Sequence, residues 1–548
     1  MPRLEWAPLN PVIMHQDKLL LLFLSAAVAL VGSPGISAAS SGESPASIMP
    51  ANLPRIGEVD VRFQSYNIEM LEVTGGNFWK PYNKSGETAP LPPTATKGAD
   101  SSVPAGMDAS MYRYRPPIDF KNSRMRKLAA ALGPAYVRVS GTWANTTYFH
   151  DSDQPAPKTP PAGFDGVLTR QQWKEAVDFA RAVDAKIVTS VAISPGTRDT
   201  AGLWTPVEAE KILTYTKSIG GEIAAAEFMN EPTLARMGGA PKGYDAAAYG
   251  RDLAVFRPYM KKAAPDLIIL GPGSVGEGGV ASMVQPGDPT SEELLKAGGP
   301  AFDAFSYHFY GAVSQRGASF GPQFQTTPEA ALSAEWFSRT VQVEEYYAGL
   351  RDKYAPGKPL WITETADAAA GGNPWGSTFR DSFRYINQLG AMAQRGVRVV
   401  AHNTLDASDY GLLDENTYEP RPNYWAALLW RRCMGEIVLD PGHSPSPTLL
   451  LYAHSLRGVP GGVALVVINT DPSAAQSLNL ATAGERFTLT ARNLSDTIVQ
   501  LNGNELKLGA HDALPALRPV STKPGLLTFA PASITFLTIR NAGNRSAQ

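Results

Sequence analysis

From residue 60 onward, short apolar runs alternate with amphipathic stretches, the pattern of parallel βα units. Eight runs read as strands, at 61–68, 135–141, 186–193, 224–230, 267–271, 303–309, 359–365 and 398–405. Eight such units predict a (β/α)8 TIM barrel, with residues 424–434 as its last helix. Beyond that helix the period changes. Runs at 449–454, 462–469, 487–491, 497–501 and 526–539 alternate apolar and polar residues between turns, which predicts antiparallel strands. The expected fold is therefore α/β, a barrel over 58–436 followed by a C-terminal β-sandwich over 437–548, completed in part by residues 40–60.

Two proline-rich stretches interrupt the barrel pattern, 84–117 and 153–166, and the longer one is expected to lie over the cleft. Gly271-Pro272-Gly273-Ser274-Val275-Gly276 fits a dinucleotide fingerprint in letters only. Pro272 has no amide to donate, and no helix pattern follows, so a nucleotide site is rejected. Lys18, the apolar run 19–31 and the small residues Ser37-Ala38-Ala39 predict a secretory signal over 1–39, hence a secreted or periplasmic protein with no stable membrane span once the signal is removed.

Composition narrows the function classes. The 548 residues are 43% hydrophobic and 18% charged, which is neither disordered nor membrane-like. A net charge of -2 gives no global attraction to nucleic acid or another polyanion. The single cysteine, Cys433, cannot form an internal disulfide, and the seven scattered histidines show no metal-ligand spacing, so no cofactor is expected.

Two strand ends carry the candidate chemistry. Ala226-Glu227-Phe228-Met229-Asn230-Glu231-Pro232 follows the fourth run, and Trp361-Ile362-Thr363-Glu364-Thr365 closes the seventh. Glu231 and Glu364 thus reach the barrel face where active sites lie. Glycoside cleavage needs such a pair, one carboxyl to protonate the leaving oxygen and one to attack the anomeric carbon. Arg138 lies within an apolar strand, where an unpaired charge is costly, so it is expected to hydrogen-bond Glu364 and keep it charged. Glu231 must instead hold a proton near neutral pH, through burial or the neighbouring charge of Glu364. Trp79, Trp143 and Trp375 lie in loops after strands, where they can stack on sugar faces.

From about residue 58 to the C-terminus the chain resembles the heparanase and β-glucuronidase family of glycoside hydrolases. The resemblance rests on Pro134-Ala135-Tyr136-Val137-Arg138-Val139-Ser140-Gly141-Thr142, Phe228-Met229-Asn230-Glu231-Pro232 and Trp361-Ile362-Thr363-Glu364-Thr365. It extends to Ser306-Tyr307-His308-Phe309-Tyr310, Tyr410-Gly411-Leu412-Leu413-Asp414 and Pro422-Asn423-Tyr424-Trp425. It implies a retaining mechanism with Glu364 as nucleophile and Glu231 as acid, then base. It also implies sugar contacts from Glu69, Thr142, Asn230, His308, Tyr310 and Tyr410, with a glucuronic-acid-containing carbohydrate as partner.

The family places a uronate-holding tyrosine where this chain has Ala369, and Asp409 would repel a uronate if it faced the site. A neutral sugar such as glucose or xylose is therefore kept as an alternative, as is a non-catalytic polysaccharide-binding role. Residues 153–166 are short where animal heparanase has a long covering segment, and Val275 to Val280 contains no cation. Tight binding of sulfated polyanions is not expected.

Overall fold

In the computed structural model, which describes residues 47–82, 103, 104, 107–300 and 302–548, eight parallel strands close on themselves. They are β1 (Gln64–Glu69), β2 (Ala135–Ser140), β3 (Ala185–Ser190) and β4 (Ile223–Glu227). β5 (Ile268–Ser274), β6 (Ala304–Tyr310), β7 (Leu360–Ala366) and β8 (Val397–His402) complete the ring, in which β8 pairs with β1. A helix follows each strand, and the barrel read from the apolar periodicity is the one observed. The expected signal segment and most of the proline-rich stretch before residue 107 lie outside the described residues. Among the described residues no helix is long and apolar enough to cross a membrane.

Several strand bounds move for local reasons. β1 starts later than residue 61 because Asp60 accepts from the amides of Arg62 and Phe63, which closes a turn there. β4 ends at Glu227, not Asn230, because the Asn145 side chain replaces the ladder. Its Nδ2 donates to the Asn230 carbonyl at 3.0 Å, and its Oδ1 accepts from the Asn230 amide at 2.9 Å. β5 runs straight through Pro272 to Ser274, and the next helix, Ser291–Gly298, starts far beyond the rejected fingerprint.

The barrel interior changes character along its axis. A cluster that includes Tyr136, Leu270 and Trp361 is built of strand residues alone. Toward the strands' C-terminal ends the buried residues include Arg138, Glu227, Ser306 and Thr363. A charged layer at this depth must be internally paired, because unpaired burial costs several kcal/mol.

C-terminal to the barrel lie a nine-stranded sheet and a three-stranded sheet. Met434–Leu439 belongs to the large sheet and pairs with Arg55–Glu58, so this strand straddles residues 436 and 437. The expected run 526–539 is two strands, Gly525–Phe529 and Ser533–Ile539, one in each sheet, broken where Pro531 precedes Ala532 at φ 44°. The two sheets share a core that includes Leu451, Leu465, Leu478 and Phe529. Val463–Asn469 is buried along its whole length, which corrects the expected apolar and polar alternation. Its Val466 and Ile468 face the barrel core while Leu465 and Val467 face the other sheet, so both faces are apolar.

The helix Phe379–Gln394 sits between the barrel and the large sheet and is buried along nearly its whole length. Tyr452 of the sheet donates to Asn387 Oδ1 at 2.7 Å, and its ring covers Gly390 so closely that a Cβ there would lie 2.2 Å from Cγ. Gly390→Ala is therefore expected to destabilise the protein by about 1–3 kcal/mol through overpacking, although alanine favours helix. Denaturant unfolding measures it, and unchanged stability would contradict the close packing.

Candidate active site

Arg138 on β2 lies 1% exposed beneath the cleft. Its Nη1 donates to Glu364 Oε2 at 2.8 Å, as expected from the sequence. Its Nε and Nη2 donate to Glu227 Oε2 at 3.1 and 2.8 Å, and Nη2 also reaches Asn230 Oδ1 at 2.7 Å. Burial works against the guanidinium charge, but Glu227 and Glu364 outweigh it and raise its pKa.

Glu227 was not singled out from the sequence, although it stands inside a quoted motif. It is fully buried, and its Oε1 accepts from Ser306 Oγ at 2.8 Å and Thr363 Oγ1 at 2.7 Å. Burial opposes its ionisation, yet Arg138, His308 and the Thr363 bond together lower its pKa.

The tautomer of His308 follows from its neighbours. Arg138 Nη2 lies 3.2 Å from Nε2 and has no lone pair to offer, so Nε2 accepts. Burial pushes the ring's pKa down to about 4, so His308 is neutral, and its proton sits on Nδ1, which donates to Glu231 Oε1 at 3.0 Å.

Glu231 follows β4 in a left-handed conformation, φ 51° and ψ 62°, sparsely populated outside glycine and asparagine, and Pro232 comes next. Burial raises its pKa to about 7 against the lowering effect of Arg138, with Glu227 adding to the rise. The neighbouring charge that acts on it is thus Glu227, where the sequence had suggested Glu364. Glu364 Oε1 accepts from Tyr310 at 2.7 Å. Glu231, His308 and Glu364 each bring one ligand-type atom within 4.8 Å of the others. A cation could be held by such a set, but Arg138 already supplies the positive charge there.

Glu69 ends β1, and its Oε1 accepts from Asn403 Nδ2 at 3.0 Å. The same Asn403 amide reaches Tyr310 Oη at 3.0 Å and Tyr410 Oη at 3.3 Å. Glu69 Oε2 is buried without a partner. Burial and the charge of Glu364 raise the Glu69 pKa well above its usual value. At Gly141, φ 94°, a Cβ would stand 1.5 Å from Glu69 Oε2, so only glycine lets this carboxyl occupy its place.

These groups floor a cleft of about 610 Å3. Of the sequence-predicted residues, Glu69, Thr142, Glu231, Tyr310, Glu364 and Tyr410 line it. Arg138, Asn230 and His308 lie beneath. Asn230 is 1% exposed, its side-chain oxygen accepts from Arg138, and its side chain acts to lower the pKa of Glu231, so in this arrangement it is turned toward the charged layer beneath the cleft. Trp79 and Trp143 line the cleft, whereas Trp375 is buried outside it.

Asp409 does not face the cleft as a free charge. Arg316 binds it, lies 3.8 Å over the Tyr82 ring, and donates to the carbonyls of Lys80 and Gly372 at 2.7 Å each and of Ala370 at 3.1 Å. One buried arginine thus ties together the loops after β1, β6, β7 and β8. Asn403, Asn145 and this arginine were missed in the sequence because each acts through partners far away in the chain.

Residues 116–390 match the model of glycosyl hydrolase family 79, N-terminal domain. Heparanase-like protein 1 of Arabidopsis thaliana is 26% identical over 477 residues, which cover 77% of this chain and 85% of the relative. Baicalin-beta-D-glucuronidase of Scutellaria baicalensis is 33% identical over 221 residues, 38% of this chain and 41% of the relative. A solved 4-O-alpha-L-rhamnosyl-beta-D-glucuronidase from Fusarium oxysporum shares the fold, with a TM-score of 0.59 over 90% of this chain and 100% of that one at 12% identity. The chain belongs to glycosyl hydrolase family 79, the heparanase and glucuronidase family of glycosidases.

Proposed function

We propose that the protein is a retaining β-glucuronidase, secreted or periplasmic, in which Glu364 is the nucleophile and Glu231 the acid and base. The observation that carries this is the approach of a Glu231 oxygen to within 4.8 Å of one from Glu364. Retaining glycosidases hold their carboxyls about 5–5.5 Å apart, while inverting ones leave room for water at about 6.5–9.5 Å. Glu364 attacks the anomeric carbon as the glycosidic bond breaks and Glu231 gives its proton to the departing oxygen. Water then attacks the glycosyl-enzyme ester, returning its proton to Glu231 and freeing Glu364. Because His308 donates to Oε1, the proton of neutral Glu231 sits on Oε2, free to face the leaving group.

A uronate is compatible with the charges around it. Asp409 is paired with Arg316, which offsets its charge, and burial with the charge of Glu364 raises the Glu69 pKa well above its usual value, so repulsion of a sugar carboxylate is weakened at both. A relative named as a glucuronidase supports the same reading. Ala369 on the cleft wall favours the second reading, a neutral sugar, because it removes a hydroxyl donor.

A panel of aryl β-glycosides tests the sugar. Hydrolysis of the glucuronide alone is expected, and cleavage of only the glucoside or xyloside would select the second reading. On the preferred glycoside, Glu364→Ala is expected to lose several orders of magnitude in kcat, with azide restoring part of it as a product of inverted configuration. Rescue that gives the retained anomer would remove Glu364 from the nucleophile role.

With a Glu231 pKa near 7, the acid form prevails below that pH and is lost above it, so kcat/KM on a phenyl glycoside should fall as pH rises through about 7. The carboxyl is raised by folding, so its contribution to stability is lost over the same rise, between its unfolded value and about 7. Glu231→Gln should abolish the alkaline limb on activated leaving groups and raise the melting temperature above pH 7 relative to wild type. A limb that persists in this variant would assign it to another group.

Gly141→Ala should leave a folded protein that has lost about tenfold or more in kcat/KM, because its Cβ displaces Glu69. Steady-state kinetics alongside circular dichroism separates that loss from misfolding, and wild-type kinetics would show that Glu69 tolerates the shift.

A further inference from the structure

The cleft is chemically divided by the strand order. The side of β7, β8 and β1 carries the hydrogen-bonding groups Glu364, Asn403, Tyr410 and Glu69, set beside the smaller or apolar Ala369, Ala370, Pro104 and Met107. Residues contributed after β4, β5 and β6 are mainly apolar: Leu234 and Met237, Val275 and Met283, Phe320 and Phe324. Glu231 itself ends the β4 segment. Since the acid must reach the leaving oxygen, the leaving group lies on this apolar side.

The charges on that side are spent. Among the described residues lining the cleft, Arg236 is the single basic side chain, and it makes a bidentate pair with Asp288, Nε to Oδ1 at 3.0 Å and Nη2 to Oδ2 at 3.1 Å. The Asp288 side chain is 3% exposed, so the pair is anchored on its acidic side. Arg316 is buried in its clamp and cannot reach out. Phe320, by contrast, is 42% exposed at the lip, an aromatic ring in water with no core to fill. Two methionines that line the same cleft, Met237 and Met283, are only partly buried and can adapt to rings of different outline.

We propose that this half of the cleft is an aglycone cradle for an uncharged, hydrophobic leaving group such as a fused-ring phenol, and that the enzyme cleaves glycosides of such small molecules in preference to sulfated or uronate-bearing polysaccharide. The inference rests on the glycosidase reading above, with Glu231 as the acid. Transfer of a ring from water to Leu, Met and Phe side chains supplies the binding, and the absence of an unpaired cation among the described lining residues leaves nothing to offset desolvation of an anionic neighbour. Selectivity then comes from both terms, attraction for the apolar aglycone and rejection of the charged one.

The test compares 2-naphthyl β-glucuronide with a sulfonated phenyl β-glucuronide of matched leaving-group acidity, using the full chain. The naphthyl substrate is expected to show a kcat/KM at least about tenfold higher. Met283→Glu and, separately, Met237→Glu should each cut the naphthyl value by about tenfold, at least about fivefold more than they cut methyl β-glucuronide. Both side chains lie on partly exposed loops, so two variants guard against one that folds poorly. Equal or better cleavage of the sulfonated substrate, or equal losses on naphthyl and methyl substrates in both variants, would overturn the proposal. The same aglycones are placed on whichever sugar the glycoside panel selects. A wrong sugar assignment then appears as a change of sugar, and a wrong aglycone assignment as loss of the naphthyl preference.

Discussion

The structure at the barrel's C-terminal face depends on one buried guanidinium. Arg138 has five donors and no acceptor, and away from water each donor must find a partner. It finds Glu227, Asn230, His308 and Glu364, which belong to the segments of β4, β6 and β7. A buried ion pair of this kind contributes little net stability, since desolvation cancels most of the attraction. What it supplies is direction. Fixing His308 Nε2 as an acceptor fixes its proton on Nδ1, and that proton fixes the orientation of Glu231.

One cation among four buried carboxyls also sorts them. Glu227 and Glu364 are the two in contact with Arg138, at 2.8 Å each. Glu231 and Glu69 have no salt bridge to it, and burial raises both. The division follows from distance. The charge of Arg138 still lowers both of these carboxyls at longer range, but desolvation outweighs it. Moving Arg138 would therefore change the protonation of residues it does not touch.

Much of this was legible in the sequence, for identifiable reasons. Apolar runs of strand length separated by helices gave the barrel, and glutamates at two strand ends gave the candidate pair, because both signals are local. Arg138 stood out since an arginine in an apolar strand demands a partner. Glu227 did not, although the same reasoning applies, because its partners Arg138, Ser306 and Thr363 come from three other strands and leave no mark near it in the chain. Asp409 reads as a threat to a uronate because its partner Arg316 lies in the loop after another strand, and no local pattern joins the two. The large sheet's buried strand Val463–Asn469 has no polar face to read, since both sides of the sheet are covered.

The apolar half of the cleft and the acid strength of Glu231 are connected through water. Burial is the largest influence on the Glu231 carboxyl, and Leu234, Met237 and Val275 line the cleft alongside it. A hydrophobic leaving group resting on these side chains would displace water from the same volume and push that pKa further upward, keeping the proton on Glu231 until the glycosidic oxygen takes it. A charged aglycone would bring its hydration with it and work the other way. Selectivity for the leaving group and readiness of the acid are then two results of the same desolvated wall, with Arg138 restraining the rise so that the proton can still be released and recovered near neutral pH.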